Sequence, residues 1–190
     1  PSGARVSTWL LDPADITISG AATTDATATG GVFAPNSGVS AANVNVADLV
    51  TALNASNVTV STENTGLSGS GSGDITLSAA LTWSAATTLT MNAERDVNVN
   101  QAITATGTDS SLALIAGRHV NVAAGAAITT TTGQLGFTAA QDVNINAATT
   151  ITTGNLQAVA GGNVTISAAS TITTGNMVLR ADNDGTGPGA

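Results

Sequence analysis

A tandem repeat in the second half of the chain constrains the fold more than any other feature of the sequence. The segment "DVNINAATTITTGN" (142–155) is followed by "NVTISAASTITTGN" (163–176). Intervals of 23, 23, 21 and 21 residues separate the apolar residues that open successive units, which are Leu89, Leu112, Leu135, Leu156 and Met177. Periods of about 20–50 residues are typical of solenoids and repeat arrays. The repeat therefore predicts stacked copies of one small unit.

Within each unit the apolar residues alternate with polar ones, which indicates β-strands with one buried face. One unit shows three such groups: Leu135 and Phe137, Val143 and Ile145, and then Ile151. Three short strands per coil of about 21–23 residues is the geometry of a parallel β-helix, whose strands pair one coil away at about 4.8 Å. We therefore predict an all-β parallel β-helix in which like residues stack.

Stacking of like residues predicts three ladders along the axis. Two ladders are interior: a valine ladder of Val97, Val120, Val143 and Val164, and an isoleucine ladder of Ile103, Ile128, Ile151 and Ile172. The third faces outward and is an asparagine ladder of Asn98, Asn121 and Asn144. Each buried Val or Ile contributes about 1.5–3 kcal/mol relative to exposure. Stacked amides hydrogen-bond along an axis and support the register; a ligand-binding stripe is the alternative interpretation of the asparagines.

The corners between strands should carry the variation in coil length. Gly133, Gly154 and Gly175 each stand two residues before the next unit, where a sharp turn is expected to need a positive φ. The units can be aligned on the apolar residues that they share, and we call this the apolar alignment. It places the extra residues of the longer units at 104–111 and 129–134. Insertions of this kind are tolerated at the corners of a solenoid.

The whole chain, 1–190, is predicted to be a single elongated β-helix fragment. Residues 75–180 form the regular coils, and 181–190 a terminal turn. Residues 1–74 form irregular early coils, with strands near 15–18, 43–46 and 57–60. One short inserted helix is predicted at 46–54, and a flexible surface loop at 61–74, where Gly and Ser dominate.

The composition excludes several function classes. The chain is 42% hydrophobic but only 2% aromatic, which suits a narrow interior of stacked aliphatic side chains. A net charge of −8 argues against nucleic-acid binding and against adsorption to anionic membranes. The absence of cysteine removes disulfides and thiolate metal sites. No apolar run is long enough for membrane insertion, and no cofactor is predicted.

Three segments carry a resemblance to a known family: "STWLLDPADITIS" (7–19), "VADLVTALNASNVTVSTENTG" (46–66) and "SGDITLSAALTWSAATTLTMNAERDVNVNQAI" (72–103). Together they resemble the filamentous-haemagglutinin-type adhesins that Gram-negative bacteria export by two-partner secretion, in the region just after the secretion domain where the shaft begins. The resemblance implies a right-handed parallel β-helix, a secreted or cell-surface location, and attachment to a host-cell receptor or glycan. Some such shafts carry contact-dependent toxins instead.

The resemblance also implies an outer-membrane transporter as a partner. The Asn-Pro-Asn signature of the family's secretion domain is absent, and the chain opens with neither Met nor a signal peptide. We therefore expect a piece of a longer protein whose missing N-terminal domain engages the transporter. A cut solenoid leaves an unpaired strand edge, which predicts weak end-to-end self-association.

The sequence contains two candidate sites. Asp96, His119 and Asp142 each precede the second strand of their coil, and the two acids stand two coils apart, at about 9.6 Å. A polysaccharide-acting enzyme would need such paired carboxyl groups, but a convex, solvated corner explains the cluster, and we predict no catalytic centre. The threonine corners at 128–133, 151–154 and 172–175 suggest ice binding as an alternative function. Ice binding requires a flat strand face with a strict Thr-x-Thr rank over many coils, whereas the threonine run here covers 129–132 in one coil and 152–153 in the next and lies toward a corner.

Overall fold

The computed structural model describes residues 14–62 and 70–182, and within them the prediction of an all-β repeat fold is confirmed. The chain forms a parallel β-solenoid of about seven turns with one short helix. The elements are β1 Asp15–Ser19, β2 Ala26–Thr29, β3 Val32–Pro35, β4 Ala41–Asn45, α1 Val46–Leu53, β5 Val58–Ser61, β6 Ile75–Leu77, β7 Leu81–Trp83, β8 Thr88–Ala93, β9 Val97–Val99, β10 Ile103–Ala105, β11 Ser111–Ala116, β12 Val120–Val122, β13 Ile128–Ala139, β14 Val143–Ile145, β15 Thr149–Ala160, β16 Val164–Ile166, β17 Ser170–Thr174 and β18 Met177–Arg180.

The strands stack into two sheets that run along the axis. The first sheet contains seven strands in the order β16–β14–β12–β9–β6–β1–β4. The second contains eleven, ordered β17–β15–β13–β11–β8–β5–β3–β2 along its main path, with β10 between β7 and β13 and with β18 beside β15. The repeated coils pair in parallel, whereas β2 and β3 form an antiparallel hairpin. Each strand of the regular region therefore meets its counterpart one coil away.

The interior consists of side chains at the same position of successive coils. In the first sheet the column is Ile16, Ile75, Val97, Val120, Val143 and Val164. The first five members are buried, and Val164 of the last coil is half-buried. The predicted valine ladder thus forms the last four members of a longer column. Aliphatic stacking of this kind explains how the chain builds a core with so few aromatic rings.

The predicted isoleucine ladder is wrong at one step. Ile103 pairs with Ile128, and Ile151 with Ile172, but Ile128 pairs with Thr149 and Ile151 with Thr130. The coil that contains Ile128 is two residues longer than the next coil. The pairings place the two extra residues at 123–127, before Ile128, whereas the apolar alignment placed them at 129–134. A shift of two keeps every side chain on its own face, so hydrophobicity alone does not detect it.

Three glycines allow the chain to turn sharply between the third strand of one coil and the first of the next. The φ angles of Gly133, Gly154 and Gly175 are 140°, 145° and 141°, as their spacing predicted. A Cβ atom at Gly154 would overlap the carbonyl oxygen of Gly133, so the backbones of successive coils are in contact here. Strands β13 and β15 pass through this corner without interruption, which joins two of the three predicted strands into one.

The N-terminal part differs from the regular coils, as expected. Strand β4 lies beyond β1, at the edge of the first sheet, and the segment 20–24 runs along its outer side. Thr24 exchanges two backbone hydrogen bonds with Asn43, and the Asn43 amide donates to the carbonyl oxygens of Ala21 and Ala22 at 3.0 and 2.9 Å. Protein groups therefore cover part of the edge at this end.

The single helix lies where the sequence placed it. Asn45 caps the N-terminus of α1 because its side-chain oxygen accepts from the Ala47 N–H at 2.7 Å. Leu49 and Leu53 are fully buried and join the solenoid core, and the Thr87 hydroxyl donates to the Leu53 carbonyl at 2.7 Å. The helix thus packs into the array as an insertion.

The loop predicted at 61–74 is packed at both of its ends. Ser61 belongs to β5, and Thr62 is buried. Gly71 packs so closely on the backbone that an added Cβ would lie 2.7 Å from the Asp15 nitrogen. Residues 63–69 fall outside the described residues, as do the "WLLDP" segment and 183–190 of the predicted terminal turn.

Candidate functional site

The best-defined cluster of polar side chains lies where the strands of the first sheet begin. We call it the corner column; it comprises Asp15, Asp74, Asp96, His119, Asp142 and Asn163. The first five side chains each accept a hydrogen bond from the backbone N–H of the same position in the next coil. The donor–acceptor distances run 3.0, 3.1, 3.0, 3.3 and 2.8 Å from Asp15 to Asp142. The column therefore links consecutive coils.

Two arginines reinforce this column from the preceding position. Arg95 reaches back one coil and donates through Nε to Asp74 at 2.7 Å, with a second bond from Nη2. Arg118 does the same to Asp96, with Nε at 2.9 Å and Nη2 on the other carboxylate oxygen. Bidentate pairing of this kind combines charge with a fixed geometry. Each arginine thereby joins its own coil to the one before it.

The electrostatics of Asp96 follow from these contacts. Its side chain is 8% exposed, and this burial raises the pKa of the carboxyl group. The bonds from Arg118 and from the His119 N–H outweigh burial, so the pKa of Asp96 lies below its usual value of 3.8. The pKa values of Arg95 and Arg118 are raised, chiefly by the hydrogen bonds that they donate to the carboxylates. Asp96 is therefore held as a buried anion.

The structure brings Asp96, His119 and Asp142 into one column, but does not make them converge on a common point. Asp96 binds Arg118 and the backbone of His119. The His119 Nδ1 lies 3.3 Å from the Asp142 nitrogen and 3.3 Å from the Asp142 Oδ2. Within residues 14–62 and 70–182, no group of three or more His, Asp or Glu side chains is arranged to hold a metal ion.

This geometry favours linking the coils over acid–base chemistry. A glycosidase needs carboxyl groups that face a substrate across an open gap. Both Asp96 oxygens are instead occupied by Arg118, and Oδ1 also accepts from His119. Asp142 accepts from Asn163 through Oδ1. Both carboxylates of the predicted cluster thus accept hydrogen bonds from other groups of the protein.

Sequence reasoning missed Asp15, Asp74 and the pairing of both arginines. A signal was present, because "GDITL" (73–77) has its acid at the same position as "RDVNV" (95–99). Aligning each coil on the residue before the strand, instead of on the apolar anchors, would have placed Asp74 in the column. The pairing of Arg95 and Arg118 with the previous coil depends on side-chain direction, which spacing does not give.

The outward face of the same sheet carries the predicted asparagine ladder. Asn121 donates from Nδ2 to the Asn98 Oδ1 at 3.0 Å, and Asn144 repeats this bond to Asn121 at 3.0 Å. The three side chains are half-buried, and Thr76 and Thr165 occupy the next rungs. The amides point along the axis toward each other, which favours the structural interpretation of this stripe over ligand binding.

The fold and the corner column define a stacked β-solenoid. No family model, no curated protein and no solved structure matches the chain. Among the described residues, no helix is long and apolar enough to cross a membrane.

Proposed function

We propose that this chain is a segment of the shaft of a secreted bacterial surface adhesin, and that it contributes to attachment to host cells or surfaces. The observation that carries the proposal is the unbroken interior column from Ile16 to Val164, with one residue per coil. Six rungs at about 4.8 Å extend the chain along one axis. A stacked rod of this kind holds a distal element away from the cell that carries it.

Three further features support a mechanical role. Hydrogen bonds of the corner column, the bidentate arginines and the asparagine amides all run between coils, so they resist separation along the axis. The described surface has few charges, and its outward strand positions are mostly Thr and Asn. Weak contacts repeated along such a surface add up by avidity.

The resemblance to filamentous-haemagglutinin-type adhesins supplies the rest of the proposal. The full-length protein would be exported from a Gram-negative cell through an outer-membrane two-partner-secretion transporter. Because the Asn-Pro-Asn signature is absent from this chain, a separate secretion domain would engage that transporter. The host-side partner would be a cell-surface receptor or glycan, and a shaft carrying a contact-dependent toxin is the related alternative.

Cell binding tests the adhesive part of the proposal. The fluorescently labelled chain is titrated on host cells and on a glycan array, with an unrelated acidic β-solenoid as the control. Saturable binding above the control supports attachment by the shaft itself. Binding that never exceeds the control contradicts direct contact and restricts the segment to spacing.

Export tests the secretion part separately. The chain is fused behind a two-partner-secretion domain and expressed with and without the matching transporter. Transporter-dependent appearance of the fusion in the medium supports the proposal. Retention of the fusion, under conditions in which the secretion domain alone is exported, contradicts it.

A further inference from the structure

The corrected register between β13 and β15 aligns the outward residues of five successive coils. Each of these coils contributes a threonine at the same position of its third strand. Pairing connects them in the order Thr82, Thr104, Thr129, Thr150 and Thr171. The apolar alignment, which set Ile128 beside Ile151, would place Thr129 beside Thr152 but Thr131 beside Gly154, so the position two residues further along would lose its threonine.

A second hydroxyl residue stands two positions further along in every one of these coils. These residues are all exposed, and they are Ser84, Thr106, Thr131, Thr152 and Thr173. The pairs Thr130–Ile151 and Thr132–Thr153 on either side keep Thr131 in register with Thr152. We call the two columns together the threonine face; nine of its ten members are threonine, and four coils carry a complete Thr-x-Thr rank.

In the described part of the chain, nine of the ten hydroxyl groups of the threonine face make no hydrogen bond to protein atoms; the exception is Thr106, which donates to the Trp83 carbonyl at 3.3 Å. By contrast, Thr130 and Thr132 of the same corner both make such bonds. Its outward positions carry no charge, amide or aromatic ring. Because threonine is β-branched and held on a strand, few χ1 rotamers are open to it, so the hydroxyl and methyl groups repeat in fixed orientations.

We propose that the threonine face binds ordered water at the surface of ice. Tetrahedral water with an O···O distance of about 2.75 Å places second-neighbour oxygens about 4.5 Å apart. Parallel strands repeat at about 4.7–4.9 Å, so hydroxyl groups along a column approach that spacing over five rungs. Alternating hydroxyl and methyl groups can join a water lattice without charges that would disrupt it. The inference goes beyond the proposed shaft function and does not depend on it.

Ice-affinity partitioning tests the proposal directly. The purified chain is exposed to a slowly growing ice surface, and its concentration in the ice is compared with that in the liquid; thermal hysteresis is measured in parallel. We expect enrichment in the ice and faceted crystal growth. A double variant, Thr129→Lys with Thr150→Lys, places two cations at the centre of the face and should lose both effects.

Thr138→Lys is the matched control. Thr138 is also exposed on β13 but lies on another face, beside Ile115 and Val159. It should behave like the unmodified chain, and circular dichroism verifies that all variants keep the β-solenoid. Exclusion of the folded, unmodified chain from ice overturns the proposal. Equal enrichment of the folded double variant also overturns it, because another surface would then be responsible.

Discussion

Thr130 lies in register with Ile151 of the next coil, inside the solenoid, although the sequence offers an isoleucine at position 128 for that place. Thr130 and its neighbour Thr149 are both buried, at 0% and 1% exposure. The interior therefore alternates isoleucine with threonine at this step. The alignment of the threonine face depends on this register, so this register is the first relationship to test.

Thr149→Val should stabilise the protein by about 1–3 kcal/mol. The Thr149 hydroxyl is buried and has no hydrogen-bond partner in the described part of the chain, and valine has nearly the same shape. Urea unfolding measures the change. The control is Thr130→Val, which should gain less because the Thr130 hydroxyl donates to the Ser110 carbonyl. Destabilisation by Thr149→Val alone would contradict the register.

Asp96→Asn should lower the free energy of unfolding at neutral pH by about 1 kcal/mol. Asparagine can still accept from the His119 N–H, but it removes the charge that pairs with Arg118. The guanidinium is 42% exposed, which keeps the effect modest. Glu94→Gln removes the same charge from an exposed neighbouring position and should have little effect at neutral pH.

The same variant should reduce the sensitivity of stability to acid. The folded-state pKa of Asp96 is lowered, so its contribution is fully present above the unfolded value and is lost as pH falls through the folded pKa, below 3.8. The difference between the wild-type protein and Asp96→Asn should therefore shrink toward zero in strong acid. A difference in unfolding free energy that stays constant with pH would contradict the lowered pKa.

The sequence predicted the fold class, the helix, the valine and asparagine ladders and the glycine corners, because each depends on a repeated pattern that survives stacking. It failed at the step between Ile128 and Ile151, because a shift of two residues leaves the inward and outward faces unchanged. It also failed to find Asp74 and the role of Arg118, because these contacts join different coils through long side chains. Thr-x-Thr ranks became recognisable only once the register was known.

Gly154→Ala should destabilise the protein by about 3 kcal/mol or more. Gly154 has a φ of 145°, and a Cβ there would overlap the Gly133 carbonyl. Gly136→Ala is the control, because the nearest atom to its added Cβ is 4.0 Å away. Thermal unfolding of both variants compares them; equal stabilities would contradict the close approach of the coils at the glycine corner.

Weak self-association of the chain should occur through the end that carries β18. Met177, Val178 and Leu179 there are 40%, 38% and 46% exposed, whereas segment 20–24 covers part of the opposite end. Leu179→Glu should weaken association in sedimentation equilibrium. Val32→Glu changes an equally apolar exposed residue on β3 and should leave it unchanged. Loss of association with Val32→Glu alone would assign the contact to the other end.

The most direct test of the account is the distance along the rod between two labelled rungs. The chain contains no cysteine, so Thr17→Cys and Thr165→Cys can carry a pair of spin labels without interference. Five rungs separate these residues on the outward face of the first sheet. Dipolar spectroscopy should give a narrow distribution centred near 24 Å, from about 4.8 Å per coil. A broad distribution, or a mean distance far from this value, would contradict the stacked solenoid.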